Sequence, residues 1–296
     1  MSDSLPLIAI LTMINIFRKN KKEESLPKRF WNYRDLSEED KIKNVENQLY
    51  HNIKGSEFKK YITKYLTPRL RDLGFKGGGF NFQRQEGHVI HTIQLFGDKY
   101  GGQGWIEIGI HLDFIPDLFF GPIEPNKIKT IDCTYRHSLH LSNGNQMVNY
   151  GTNEEEARFS IDLMYNMILK QGISYFDLFK DFPRPFNRIE LADLKIKNPE
   201  FDKYRLTLDN IITTLNLARI NVFLGNLEKA RIFSEFGLQQ LEQNSSNNEW
   251  DSLFKRLMNG DTNFGFTEDE KKRINQRQQS LRDEMDALFG SKKKKP

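Results

Sequence analysis

Glu107, His111 and Asp113 recur at spacings of four and two residues within the run WIEIGIHLDFI. On an extended strand, residues of like parity share a face and successive like residues lie about 7 Å apart, so these three project together over roughly 7–14 Å. A later run, CTYRHSLHL, sends Asp132, Arg136 and His140 to the same side if it forms the neighbouring strand. Carboxylates and imidazoles ligate cations and form general acid/base pairs, so this set holds the ingredients of a metal-assisted hydrolase. The same residues also make an ordinary solvated side of an open sheet. Trp105, beside GGQG, shares that face and is of a type enriched in binding hot spots. The candidate binding surface is therefore Trp105, Glu107, His111, Asp113, Arg136 and His140, with Glu107, His111 and Asp113 as the alternative catalytic set.

Other chemistry is poorly represented. Gly77, Gly78 and Gly79 precede a strand, whereas a phosphate cradle needs a helix N-terminus behind it, so they read as a hinge. Neither GxSxG nor HExxH occurs. Cys133 is the only cysteine, which excludes an intrachain disulfide and a cysteine-built zinc site. It falls at an inward position, where a thiol is a poor nucleophile. His91 and His137 fall among apolar inward residues and read as core histidines. His88/His91 and His137/His140 are each three apart and point to opposite faces, so neither pair can chelate one ion on a regular strand. No cofactor and no metal is expected.

The strands that position this surface are legible as period-two runs. Phe80 and Phe82 face inward on the first; Val89, His91, Ile93 and Leu95 on the second, with His88, Thr92 and Gln94 outward. Gly87 marks the turn between them. The third places Ile106, Ile108, Ile110, Leu112 and Phe114 inward. The fourth, after a Pro-containing loop at 116–129, places Ile131, Cys133, Tyr135, His137, Leu139 and Leu141 inward. The expected fold class is α+β: a four-stranded antiparallel meander with helices on one face, followed by an all-helical C-terminal region.

Flanking helices follow 3.6-residue patterns. One begins at Ser56, is bent or restarted at Pro68, and stops at Gly74 with Phe75 folding back. Another starts at an Asn153 cap, carries Glu154 to Glu156 in its first turn, and ends at Gly172. Ser174 to Phe182 forms a short helix, and FPRPF marks a domain boundary. Beyond it, Leu206–Leu224 and Leu227–Leu241 pair around Gly225, Asn244–Asn248 is a loop, and Trp250–Leu257 is a third helix. The fourth opens with a Thr267/Glu270 capping box and shows only a thin seam of Ile274, Leu281, Met285 and Leu288, suited to lying on a surface or pairing with a partner helix.

The domain reading is 1–36 leader and linker, partly disordered; 37–185 sheet domain; 186–290 helical domain; 291–296 disordered basic tail. Within the first span, Phe30, Trp31 and Tyr33 form a docking point; a helix is expected at Ser37–His51, opening the second. Leu5–Phe17 is apolar but too short to span a bilayer. Three readings of it stand: Met13 is the true start, the stretch is a weak peripheral membrane anchor, or it is a packed first helix.

The span from about Glu57 to Phe182 resembles a bacterial family known as domain of unknown function 4304. The helix ending LTPRLRDLGF, the strand FNFQR, the paired strands HTIQLFG and WIEIGIHLDF, and a trailing helix carry the likeness. It implies a bacterial cytosolic α+β module and brings no catalytic residues. LARINVFLGNLEKARIFSEFGL, within 206–241, is similar to a tetratricopeptide hairpin, with Leu217, Ala218, Gly225, Ala230 and Leu238 near its small and apolar positions and Asn221, Ser234 and Gly237 departing from it.

Charge ranks the functional classes. Arg18, Lys19, Lys21, Lys22 and Lys292 to Lys295 supply eight positive charges against a net of +4, so the rest of the chain carries −4. Basicity confined to tails argues against a specific nucleic-acid groove. The reading is a cytoplasmic, non-catalytic protein-binding module, for which an immunity- or antitoxin-like role fits; the alternative is the metal-assisted hydrolase above.

Overall fold

The computed structural model describes residues 52–98, 101–116, 123–208, 210–243 and 250–289, within a compact unit spanning Asn52–Pro296. The leader, the aromatic docking point, the helix at Ser37–His51, the 244–248 loop and the basic tail lie outside the described residues.

Helix α1 (Gly55–Tyr61) passes through a π-helical turn at Ile62–Leu66 into α2 (Thr67–Asp72). Phe58, Ile62, Leu66 and Leu70 are all fully buried. Their spacing of four overshoots a 3.6-residue turn by about 40° at each step, and the wider turn takes up that drift. Pro68 sits in the first turn of α2 and, having no N–H to donate, falls where the π-helical turn gives way to α-helix. Lys54, not Ser56, occupies the N-cap, with no side-chain bond. The stop is the expected one: Gly74 has φ +83°, its N–H donates to the Arg71 carbonyl at 2.8 Å, and the Phe75 N–H donates to the Leu70 carbonyl at 2.9 Å.

The sheet has six strands where the sequence shows four: β1 (Lys76–Gly78), β2 (Asn81–Glu86), β3 (Val89–Gly97), β4 (Gln103–Leu112), β5 (Tyr135–Ser138) and β6 (Val148–Asn149). The order is β1-β2-β3-β4-β5, with β6 paired to the opening end of β4, and every pairing is antiparallel. The glycine run forms β1 itself, folding back on β2, as well as serving as the hinge.

Ile106, Ile108, Ile110 and Leu112 of β4 face one core with Val89, Ile93 and Leu95 of β3. The layer packed on them is α1–α2 together with α3 (Glu154–Met167), which continues through a second π-helical turn, Ile168–Ile173, into α4 (Ser174–Phe176). Asn153 caps α3, its side chain accepting from the Glu156 N–H at 3.0 Å. Gly172 was expected to end this helix and does not; it lies buried within the π turn, near Ile108 and Leu139.

The same apolar cluster continues past FPRPF through Phe186, Ile189, Leu194 and Phe201 into the C-terminal helices. These are α5 (Leu191–Ile196), α6 (Ile211–Phe223), α7 (Leu227–Gln243), α8 (Trp250–Met258) and α9 (Glu268–Phe289). The Thr267/Glu270 capping box forms: the Thr267 N–H donates to the Glu270 carboxylate at 2.7 Å, and the Glu270 N–H to the Thr267 hydroxyl at 3.3 Å.

The fourth predicted strand is shorter than its pattern. Only Tyr135–Ser138 pairs, and Thr130–Asp132 forms a 3-10 turn that leaves Ile131 exposed. Cys133 consequently packs on the opposite side of the sheet from Tyr135, with Ile90 and Ile128. A turn resets the side-chain parity that an unbroken strand would have kept.

Helix α7 meets α8 where Gly237 faces the Phe254 ring so closely that a methyl group there would overlap it. Gly237→Ala gains about 1 kcal/mol of helix propensity but forces the ring aside at about 1–3 kcal/mol. A net loss of stability in urea unfolding is expected; a stabilised variant would show that the ring moves freely.

Candidate functional site

The outer face of the sheet is built in rows by strand register. Asn81, Gln94, Glu107 and Ser138 form one row across β2 to β5; Gln83, Thr92, Gly109 and Arg136 form the next; Phe96 and Trp105 stand beside the first. One half of this face is covered. Segment 123–134 folds over it: the Gln83 amide donates to the Asn126 carbonyl at 2.8 Å, Thr92 Oγ1 lies 2.9 Å from Thr130 Oγ1 and 3.2 Å from Cys133 Sγ, and Ile128 packs on Ile90. Thr92, expected in solvent, is therefore buried. Burial pushes the Cys133 thiol up to about 12.

His111 is the main displacement from expectation, being fully buried instead of wet. The Thr134 N–H donates to its Nδ1 at 3.3 Å, which leaves Nε2 as the donor to the Ile115 carbonyl at 2.8 Å. Both ring nitrogens are engaged by backbone.

Asp113 lies past the end of β4, accepting from the Gln85 amide at 2.9 Å and lying 3.0 Å from His88 Nδ1. His88 in turn abuts an aromatic group of Phe114, Phe182 and Phe223, with Phe114 and Phe223 stacked at 3.8 Å. A groove of about 310 Å³ opens here between Asp113, Phe114, Phe264, Phe266 and Lys271. It had no signal in the strand pattern, because its far wall comes from the 262–266 loop.

Arg136 is exposed and donates to the Ile131 carbonyl at 3.4 Å. His140 lies beyond β5, its backbone held to the Gln171 side chain of the second π turn in both directions, at 3.1 and 2.6 Å. Glu107 accepts from Trp105 Nε1 at 3.1 Å, and the Trp105 ring stacks on Phe96 at 5.3 Å with 11° between planes. Trp105 and Glu107 thus share the uncovered half, Arg136 stands exposed at the end of the row that segment 123–134 covers, and Glu107, His111 and Asp113 each hold separate partners. Among the described residues, no group of three His, Cys, Asp or Glu side chains is placed to hold a metal ion.

Compared with known families, residues 66–178 match the model described as domain of unknown function (DUF4304). The matched segment covers under half of the chain and runs from the π turn before α2 to just past α4, so it contains the whole sheet and the outer face. Searches of the curated proteins and of the solved structures each gave no match. No helix of the described residues is long and apolar enough to cross a membrane.

Inside the sheet, the two inward histidines face the inner side that their pattern indicated, His91 in the core and His137 half-buried. His91 is fully buried, stacks on Phe176 at 4.6 Å, and accepts at Nδ1 from Arg84 at 3.3 Å. Burial, and then the Arg84 charge, push its imidazole down to about 3; burial and Arg205 push half-buried His137 down to about 4. An unfolded histidine titrates near 6.5, so as pH falls below that value only the unfolded chain gains the proton. Stability is full above about 6.5 and is lost as pH falls toward 3, each histidine adding a slope that approaches ~1.4 kcal/mol per pH unit. Urea midpoints across pH 7 to 5 should decline, and His91→Phe should flatten the decline; an unchanged slope would remove His91 from the account.

Proposed function

We propose that the protein is a non-catalytic module of the bacterial cytosol that binds another protein through the uncovered half of the outer sheet face. The reading rests on one observation: the half-exposed Phe96–Trp105 stack, with Trp105 Nε1 tied to Glu107, on the part of the sheet that segment 123–134 leaves open. A tryptophan held by a stacked ring and a hydrogen bond loses little side-chain freedom on binding, and such residues supply a large share of interface energy. Around it lie polar groups suited to a rim. Asn81 and Gln94 are partly exposed in the Glu107 row, and Arg136 is exposed at the β5 edge. His140 and Asp113 lie at the margins of the same face.

The single buried thiol supports that compartment, because it suits a reducing setting. A net charge of −4 outside the basic clusters favours a basic protein partner over nucleic acid, in keeping with an immunity- or antitoxin-like role.

The test is affinity capture from the native host with wild type and Trp105→Ala side by side, followed by affinity measurement on the captured partner. Loss of about 2 kcal/mol, some 30-fold in affinity, is expected at a hot spot, with the thermal midpoint unchanged. A partner retained equally by Trp105→Ala would overturn the reading. So would absence of any partner together with stoichiometric metal lost on Glu107→Gln, which would favour the hydrolase.

A further inference from the structure

Strand β5 ends the strand order of the sheet, and the parity of its bonds shows which of its backbone groups are in use. The Leu139 N–H donates to the Ile106 carbonyl at 2.9 Å, so Tyr135, His137 and Leu139 turn their amides toward β4, and Arg136 and Ser138 turn theirs away. At one end the Thr134 N–H is taken by His111 Nδ1. At the other, the Gln171 side chain stands beside His140 as a peptide group would, accepting from its N–H and donating to its carbonyl. Between these stops, the N–H and C=O groups of Arg136 and Ser138 form no hydrogen bond with any described residue. Such a row is a template for one more strand.

The length of the open row selects what can pair there. Two copies of β5 set antiparallel about a two-fold axis at His137 bring Arg136 opposite Ser138 of the other copy, twice, so each copy's two donors meet the other's two acceptors and four hydrogen bonds close. Moving the axis by one residue fails in either direction. Centred on Arg136, it sets like charges face to face and asks for the Thr134 N–H; centred on Ser138, it asks for the His140 groups that Gln171 holds.

Charge agrees with that register. Arg136 and Ser138 carry their side chains on the outer face, where Ser138 lies opposite Glu107. Arg136 of the second copy would stand beside Ser138, two strand spacings or about 10 Å from Glu107, a span that an arginine and a glutamate close over a short serine. Neither Arg136 nor Glu107 forms an ion pair with a described residue. On the inner side the two His137 rings face each other across the axis, uncharged at pH 7 because burial and Arg205 push the imidazole down to about 4.

We propose that two copies of this chain join edge to edge through β5, in the register that pairs Arg136 with Ser138, as one continuous sheet. The joined segment is short, so the dimer is weak and concentration-dependent. Its axis stands normal to the sheet, which leaves both Phe96–Trp105 stacks on the same side of the assembly.

Sedimentation equilibrium of the full chain between about 1 and 200 µM tests it, at low salt so that the flanking charges count. Wild type should move reversibly from monomer toward dimer. Ser138→Pro deletes an outward N–H that β4 does not use, and should abolish the dimer with circular dichroism unchanged. Arg136→Glu should weaken dimerisation about tenfold, since the pair with Glu107 is lost twice. Arg136→Glu combined with Glu107→Arg restores the pair and should restore the dimer. Monomer throughout the concentration range, a dimer kept by a folded Ser138→Pro, or a charge-swapped double variant no better than Arg136→Glu would overturn the proposal.

Discussion

The structure depends on the inward row of one strand. β4 is hydrogen-bonded along both edges, to β3 over its full length and to β5 and β6 on the other side. Its Ile106, Ile108, Ile110 and Leu112 are at most 1% exposed and form the floor on which the helices lie. Burying such side chains contributes about 1.5–3 kcal/mol each relative to exposure. Because side chains alternate, fixing this row inward fixes Trp105, Glu107, Gly109 and His111 outward, so the candidate surface is a geometric consequence of the core.

What happens to the outward side is then decided by small residues. Gly109 has no side chain, and Cys133 and Thr92 fill the space where a methyl group would sit. That vacancy admits segment 123–134 onto the sheet beside Ile90, closing one half of the face. The other half carries Phe96, Trp105 and Glu107, whose side chains leave no such vacancy. The sheet is thus dry on one side and half dry on the other, and its remaining surface lies toward the Phe96–Trp105 end.

Strong alternation in β3 and β4 was legible in sequence because each inward position is aliphatic or a buried histidine, and the helix stops at Gly74 and Gly225 were legible because glycine has few other reasons to stand there. The covered outer half was not. A period of two says that a strand has two faces and is silent about what a distant loop lays on either one. Thr92, Cys133 and His111 have side chains acceptable in either setting. The fourth strand misled for a related reason: the alternation of Ile131, Cys133 and Tyr135 continues smoothly through a 3-10 turn that breaks its geometry. The groove beside Asp113 needed residues some 150 positions apart in the chain, a distance no local pattern spans.

Neither π-helical turn was legible: both helices read as ordinary 3.6-residue patterns, and only the first leaves a trace, in buried residues four apart at 58, 62, 66 and 70, whereas 157, 161, 164 and 168 keep plain helical spacing. Each turn holds an extra residue that a plain helix would not need, and both sit over the same sheet. Such widened turns are a reservoir of slack. A chain built this way can lose a residue from either helix and relax to ordinary winding, so the layer above the isoleucine floor tolerates changes of length that the strands beneath it, locked to their neighbours on both edges, do not.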